Sequence, residues 1–436
     1  MKEKYEKDLL KFIGSSPSCF HVVDFLKKAL EKAGFQELQE SREWKIEAGK
    51  NYYVTRNLSS IAAFRVPEKI ESFHIIASHS DSPTFKIKEH PEMTADKKYT
   101  KLNVEKYGGM LMAPWFDRPL SVAGRLLVKE KNGLHTVLVN MDRDLVLIPN
   151  LAVHMNRNVN EGYKYNAQKD MLPLYGSGVK EGRLLEQMAE AAEVQAEDVE
   201  GHDLFLYNRM PGSIWGEDKE FLSAPRLDDL ECVFASLQAL LQMKSYSDMP
   251  VMAVLDNEEV GSTTKQGAAS TFLKDVFRRI QIGVGMNEES WYRAVASSFM
   301  VSSDNAHGTH PNYLEKTDPT NRTYLNEGIV IKYNANQRYT TDAVSAAVFK
   351  SICDKAKVPY QTFANPSDIA GGSTLGNIAN TQFSVNTVDI GLAQLAMHSP
   401  YETAGVKDIA YLVRAIQTFF ECRIECVSDG EFSLKF

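Results

Sequence analysis

Four apolar runs in this chain stop abruptly at a polar tip. Phe73-His74-Ile75-Ile76-Ala77-Ser78 ends at His79-Ser80-Asp81-Ser82-Pro83, and Val251–Leu255 ends at Asp256-Asn257-Glu258-Glu259-Val260-Gly261. Ala296–Val301 leads into Ser302-Ser303-Asp304-Asn305-Ala306-His307, and Ile390–Met397 into His398-Ser399-Pro400-Tyr401-Glu402. A short apolar run without alternation, cut off by turn-forming residues, is the pattern of a strand buried on both faces. Between the runs lie helical stretches. The clearest is Leu227, Leu230, Val233, Phe234, Leu237, Leu240 and Leu241, whose three- and four-residue steps mark one apolar face. Strands alternating with helices predict an α/β fold, a mostly parallel mixed sheet flanked by helices. Ligands of such sheets bind beyond the carboxyl ends of the strands, where these polar tips fall.

The spacing of the tips carries a second message. Asp228 to Glu258, Glu259 to Asp304 and Asp304 to His398 are separated by 30, 45 and 94 residues, whereas His79 to Asp228 spans 149. That interval holds β-like segments at Leu126–Val128 and Thr136–Val139 and turn-rich stretches at Gly108-Gly109 and Gly176-Ser177-Gly178. It predicts a β-rich domain over residues 92–222, inserted between two parts of the first domain, 1–91 and 223–436. The first 35 residues read as helix up to Gly34, from the recurrence of Leu9, Leu10, Ile13, Val22, Val23, Leu26 and Leu30.

Composition excludes several classes of function. With 49 basic and 57 acidic side chains the chain carries a formal charge of −8, which argues against nucleic acid as a partner. No apolar run approaches the roughly 20 residues that span a bilayer. The charged opening Lys2-Glu3-Lys4 is not followed by a secretory apolar segment. The five cysteines, Cys19, Cys232, Cys353, Cys422 and Cys426, form no C-x-x-C pair. Together these features predict a cytoplasmic protein with free thiols and no membrane partner.

His79, Asp228, Glu259, Asp304 and His398 are the ligand types of a hydrolytic metal site, each placed at the end of an apolar run or the start of a helix. Two imidazoles and three carboxylates are too many for one tetrahedral ion with an open position. They suit two ions, about 3.5 to 4 Å apart, that share a carboxylate. Asp228, at the head of a long helix, is the natural bridge. Of the adjacent Glu258 and Glu259, one can ligate while the other stands off as general base. Asp81, two residues past His79, is placed to hydrogen-bond the second imidazole nitrogen. Taken singly, each residue also has an ordinary reading: a core histidine, a solvated Glu-Glu pair, a helix cap at Asp228-Asp229. The pattern alone leaves both readings open. Gly371-Gly372-Ser373-Thr374-Leu375-Gly376 lacks the Gly-Lys-Ser/Thr of a phosphate loop and reads as a turn.

The order of His79-Ser80-Asp81-Ser82-Pro83, Phe116-Asp117-Arg118, Asn150-Leu151-Ala152-Val153-His154 and Pro225-Arg226-Leu227-Asp228-Asp229 resembles the aspartyl aminopeptidases, a family of co-catalytic zinc exopeptidases. The resemblance continues through Asp256–Gly261, Ser303–His307, His310-Pro311-Asn312-Tyr313, Asn336-Gln337-Arg338-Tyr339 and Met397-His398-Ser399. It implies a zinc exopeptidase-like fold with an inserted β-rich dimerisation domain, and dimers building a tetrahedral dodecamer. It implies one zinc on Asp228, Glu259 and His398, a second on His79, Asp228 and Asp304, and Glu258 as base. It places His154 in a neighbouring subunit's site and His307, Lys332 and Tyr339 against substrate. The implied activity is removal of N-terminal Asp or Glu from peptides. Co2+ or Mn2+ are possible substitutes for Zn2+ in a mixed N/O ligand set. The alternatives are an aminopeptidase of neutral or broad preference, a small-amide deacylase and, from another class, a non-catalytic assembly protein of the same fold.

Overall fold

The apolar runs become the inner strands of a nine-stranded mixed sheet. In the computed structural model, which describes residues 5–436, the strand order is Gln36–Leu38, Asn51–Arg56, Ser60–Arg65, Met249–Leu255, Phe73–His79, Phe299–Ser303, Asn386–Gly391, Ile329–Lys332 and Tyr360–Phe363. The four strands from Met249–Leu255 to Asn386–Gly391 run parallel. Ser60–Arg65 and Ile329–Lys332 flank them antiparallel. The parallel strands are central because both of their faces are buried. Ile76, Val254, Val301 and Ile390 point into one core and Ile75, Ala253 and Met300 into the other. Helices Leu227–Gln242, Ala343–Ala356 and Asp408–Glu421 cover the first face, and Phe272–Gly283, Glu288–Ala296 and Leu375–Gln382 the second.

Three runs divide differently from the sequence pattern. Ala296 closes a helix, and its strand begins only at Phe299. The run from Ile390 breaks after Gly391. Ala393–Leu395 then pairs in a separate five-stranded sheet, and His398 follows in a tight turn with positive φ at Ala396 and His398. The N-terminal helix is two, Glu6–Gly14 and Cys19–Lys32. Pro17 lies between them, where it lacks an N–H and disfavours helical geometry in the residue before it.

A six-stranded antiparallel sheet is built wholly from the long interval. Its order is Gly133–Asn140, Leu120–Glu130, Val199–Asn208, Thr84–Ala95, Tyr99–Tyr107 and Leu174–Ser177. It encloses its own core around Phe85, Trp115, Leu126 and Leu204. Its strands lie between Thr84 and Asn208, so its limits differ from 92–222 at both ends. The first strand starts directly after Pro83. Phe221–Ala224 pairs instead with Glu402–Gly405 beside the metal-ligand candidates. Among the described residues no helix is long and apolar enough to cross a membrane, and the five cysteines are free.

Candidate metal centre

The carboxyl ends of three parallel strands and the head of one helix converge. Phe73–His79 delivers His79, Met249–Leu255 leads into the Asn257–Gly261 turn with Glu258 and Glu259, and Phe299–Ser303 is followed by Asp304. Asp228 stands where helix Leu227–Gln242 begins, but its backbone and that of Asp229 are not yet helical. This frees the Asp228 side chain from the helix surface and turns it towards the strand ends.

Asp228 separates two donor groups. Its Oδ1 lies 3.3 Å from His79 Nε2, which is also 3.7 Å from Asp304 Oδ1. Its Oδ2 lies 3.6 Å from His398 Nε2, which is 3.3 Å from Glu259 Oε2. Donors that share a tetrahedral ion with bonds of about 2.0–2.1 Å stand about 3.3 Å apart, so both groups are spaced as ligand sets are. The buried Asp228 Oδ1 and Glu259 Oε1 have no hydrogen-bond partner. A buried carboxylate oxygen left in that state is costly unless a cation completes it. The donor set, two imidazoles and three carboxylates, fits zinc.

Surrounding groups hydrogen-bond the candidate ligands. The His79 Nδ1 hydrogen is taken by the main-chain carbonyl of Asp81 at 3.0 Å. The expectation that the Asp81 carboxylate does this is corrected: its nearest oxygen is 3.4 Å away, and the carboxylate has other work. Oδ1 accepts the Glu258 N–H and Oδ2 the Glu259 N–H, both at 3.1 Å, and Oδ2 also accepts the Tyr107 hydroxyl at 2.7 Å. Burial, with the charge of Asp81 behind it, pushes the Tyr107 phenol far above its ordinary range and keeps it a donor. Glu402 joins two ligands by their main chain, Oε1 accepting from His398 N at 2.8 Å and Oε2 from Asp228 N at 3.0 Å. Asp229 Oδ2 accepts the His79 N–H at 3.0 Å.

Glu258 faces a cleft together with Asp304, His307, Lys332, Tyr339 and His398. Burial pushes its carboxyl up to about 8; His79 opposes the shift, and Asp304 and Asp81 reinforce it. A cation in the same cleft acts in the opposite direction. Lys332 is buried, donates to Asn305 O at 2.9 Å, lies 3.7 Å from Asp304 Oδ2 and stands 5.5 Å from the Tyr339 ring centre. Burial works against its ammonium, but Asp304 and Tyr339 outweigh it and hold the charge.

Of the candidates, Asp228, Glu258, Asp304, His307, Lys332, Tyr339 and His398 line the cleft, and His79 and Glu259 stand against its wall through Asp228, Asp304 and His398. Asp81 acts from behind the Glu258–Glu259 turn. His154 lies outside it, on the exposed turn Val153–Met155 of the six-stranded sheet's domain. Tyr107 and Glu402 were not singled out in the sequence, although Glu402 lies in the same polar tip as His398. Gly372-Ser373-Thr374, read only as a turn, lines the cleft wall.

Glu231, one turn beyond Asp228, gives a measurable pH dependence. Its Oε2 accepts from Asn305 Nδ2 at 3.1 Å, and burial, reinforced by Asp408, raises its carboxyl from an ordinary 4.5 to about 8. An acid whose folded pKa is raised contributes stability that is complete below its unfolded pKa and is lost as pH rises to the folded one. Denaturant unfolding of the chelated protein between pH 5 and 8 should therefore show a shallower decline for Glu231→Gln than for the wild type. Parallel profiles would remove Glu231 from this account.

Comparison with known proteins adds a family. The family described as Aminopeptidase I zinc metalloprotease (M18) matches residues 12–420. Probable M18 family aminopeptidase 2 of Clostridium novyi (strain NT) is 48% identical over 428 residues, covering 96% of this chain and 99% of that protein. Ape4, in a cryo-EM structure of its complex with Nbr1, superposes with a TM-score of 0.92 at 36% identity, covering 95% of this chain and 85% of that one. The mApe1 dodecamer of S. cerevisiae does so with a TM-score of 0.84 at 28% identity, covering 95% and 96%.

Proposed function

Since the chain belongs to the M18 family of zinc metalloprotease aminopeptidases, we propose that it binds two zinc ions and removes N-terminal Asp or Glu from peptides, with Glu258 as general base. The observation that carries this reading is the placement of the two Asp228 oxygens against separate donor groups. His79, Asp228 and Asp304 would hold one ion and Asp228, Glu259 and His398 the other. Bound there, zinc supplies a Lewis acid for the scissile carbonyl and lowers the pKa of water to about 7.

The remaining roles fall to side chains. Glu258 takes the proton of the attacking water and gives it to the departing amine nitrogen, a transfer its place in the cleft permits. Asp81 holds the Glu258 main chain while that proton moves. Lys332 and Tyr339 orient an acidic first side chain by charge and by hydrogen bond, and His307 orients the carbonyl. Self-association into a dodecamer is supported by the likeness to the S. cerevisiae mApe1 dodecamer. It is also supported by the exposed Leu151, Val153 and Met155 around His154. In that assembly the six-stranded sheet's domain would form the dimer contact, and His154 would enter a partner's cleft. The expected compartment is the cytoplasm.

One observation favours a second reading, an aminopeptidase of neutral or broad preference. Lys332 already donates to Asn305 O and neighbours Asp304, which spends part of its charge inside the protein. Hydrolysis of Asp-, Glu-, Leu- and N-acyl anilides, before and after chelation and zinc return, tests both. Chelator-sensitive Asp and Glu release with two ions per chain supports the first, and Leu release the second. Lys332→Gln should lower kcat/KM for the Asp anilide by about thirtyfold or more relative to Leu, the scale of removing one partner of a buried charge pair. An unchanged Asp/Leu ratio would take Lys332 out of the specificity pocket.

A further inference from the structure

One loop of the inserted sheet's domain meets Glu259 and His398 directly and, through Asp81 and Asn257, the turn that carries Glu259. At the end of strand Tyr99–Tyr107, the Tyr107 hydroxyl donates to Asp81 Oδ2 at 2.7 Å and accepts from Asn257 Nδ2 at 2.7 Å. It thereby ties together the carboxylate that holds the Glu258 and Glu259 main chain and the residue that opens their turn. Gly108 has φ +77°, and a Cβ there would meet Glu259 Cβ and O at 3.2 Å. Glycine is what allows this approach. Leu111 N–H donates to the His398 carbonyl at 3.1 Å.

The other ligand group is held differently. His79 is fixed by the Asp81 main-chain carbonyl and the Asp229 carboxylate, and Asp304 N–H by Ile390 O; of these only Asp81 meets the loop, through its carboxylate and not through the carbonyl nearest His79. We propose that Tyr107 is a positioning residue for one of the two ions. Segment Tyr107–Leu111 carries the seating of the inserted domain to Glu259 and His398, so affinity at that ion depends on the insert while affinity at the His79–Asp304 ion does not. This deepens the two-ion reading and rests on it. It also makes the domain that would form the dimer contact a supplier of order to the metal centre, although it contributes no ligand from its own chain.

The test is competitive titration of the full-length chelated chain with zinc, for the wild type and Tyr107→Phe. The phenylalanine keeps the ring's edge contact with Phe205, at 5.6 Å between centres, and removes only the hydroxyl. Expected is a loss of about tenfold to a hundredfold in affinity for one of two zinc ions, the scale of losing an outer partner, with the other unchanged. At limiting zinc kcat should fall and recover with excess zinc, while KM for the Asp anilide stays constant. Gly108→Ala, which presses on Glu259 from the same loop, should weaken the same ion. Two unchanged affinities in both variants, or an equal fall in both sites, would overturn the positioning role. A wild-type chain that takes up a single ion fails the two-ion reading itself, before any variant is compared.

Discussion

Asp228→Asn should leave the chain with at most one weakly held ion and lower peptide hydrolysis by more than about 10³-fold, beyond the 10- to 100-fold that outer partners cost. The amide has nearly the shape of the carboxylate but replaces one oxygen with an NH₂ group, which has no lone pair for a cation and no charge to balance one. The wild-type Oδ1 lies 3.3 Å from His79 Nε2 and Oδ2 3.6 Å from His398 Nε2, so either orientation of the amide spoils one donor group. Glu402 still receives the main-chain N–H of residue 228, and because the buried carboxylate lacks a cation in the chelated chain, the chelated variant should unfold at no lower denaturant concentration than chelated wild type. Metal analysis and anilide turnover on the same preparations measure the effect. Two retained ions with turnover near wild type would remove Asp228 from the bridging position.

Glu258→Gln should separate binding from chemistry. Glu258 belongs to neither donor group around Asp228, and its N–H bond to Asp81 involves only the main chain, so both ions should stay. Turnover should fall by a factor of 10² or more, the contribution of a positioned general base. The variant should also lose the acidic limb of the kcat/KM profile, because an amide does not titrate there. Near-normal turnover, or loss of metal along with activity, would each end the assignment of Glu258 as base.

The sequence exposed the centre of the fold because its inner strands are buried on both faces and so read as uninterrupted apolar runs. Residues 79, 259 and 304 stand out as candidates in the sequence for that reason. Placement of His398 was less legible. Its run is split between two sheets, and the turn before it uses positive φ at Ala396 and His398 with no glycine to mark it. The Asp81 contact was misread because an offset of two residues fits a carbonyl or a carboxylate equally well. Tyr107 and Glu402 act on residues up to 150 and 174 positions away, a distance at which local pattern says nothing. The first strand of the six-stranded sheet starts immediately after Pro83, so no composition change marks the passage from one sheet to the next.

The proposed ligands come from five segments scattered between residues 79 and 398. In zinc fingers the ligands are neighbours in sequence, and the ion can organise an otherwise unfolded chain. Here no short stretch offers a chelate, and the donors meet only after the parallel strands have paired over long loops, the slow part of forming such a sheet. Zinc bound there would therefore arrive at a nearly finished structure. It would act as a latch that retards escape from the native state, while the speed of reaching that state would be set by the chain alone.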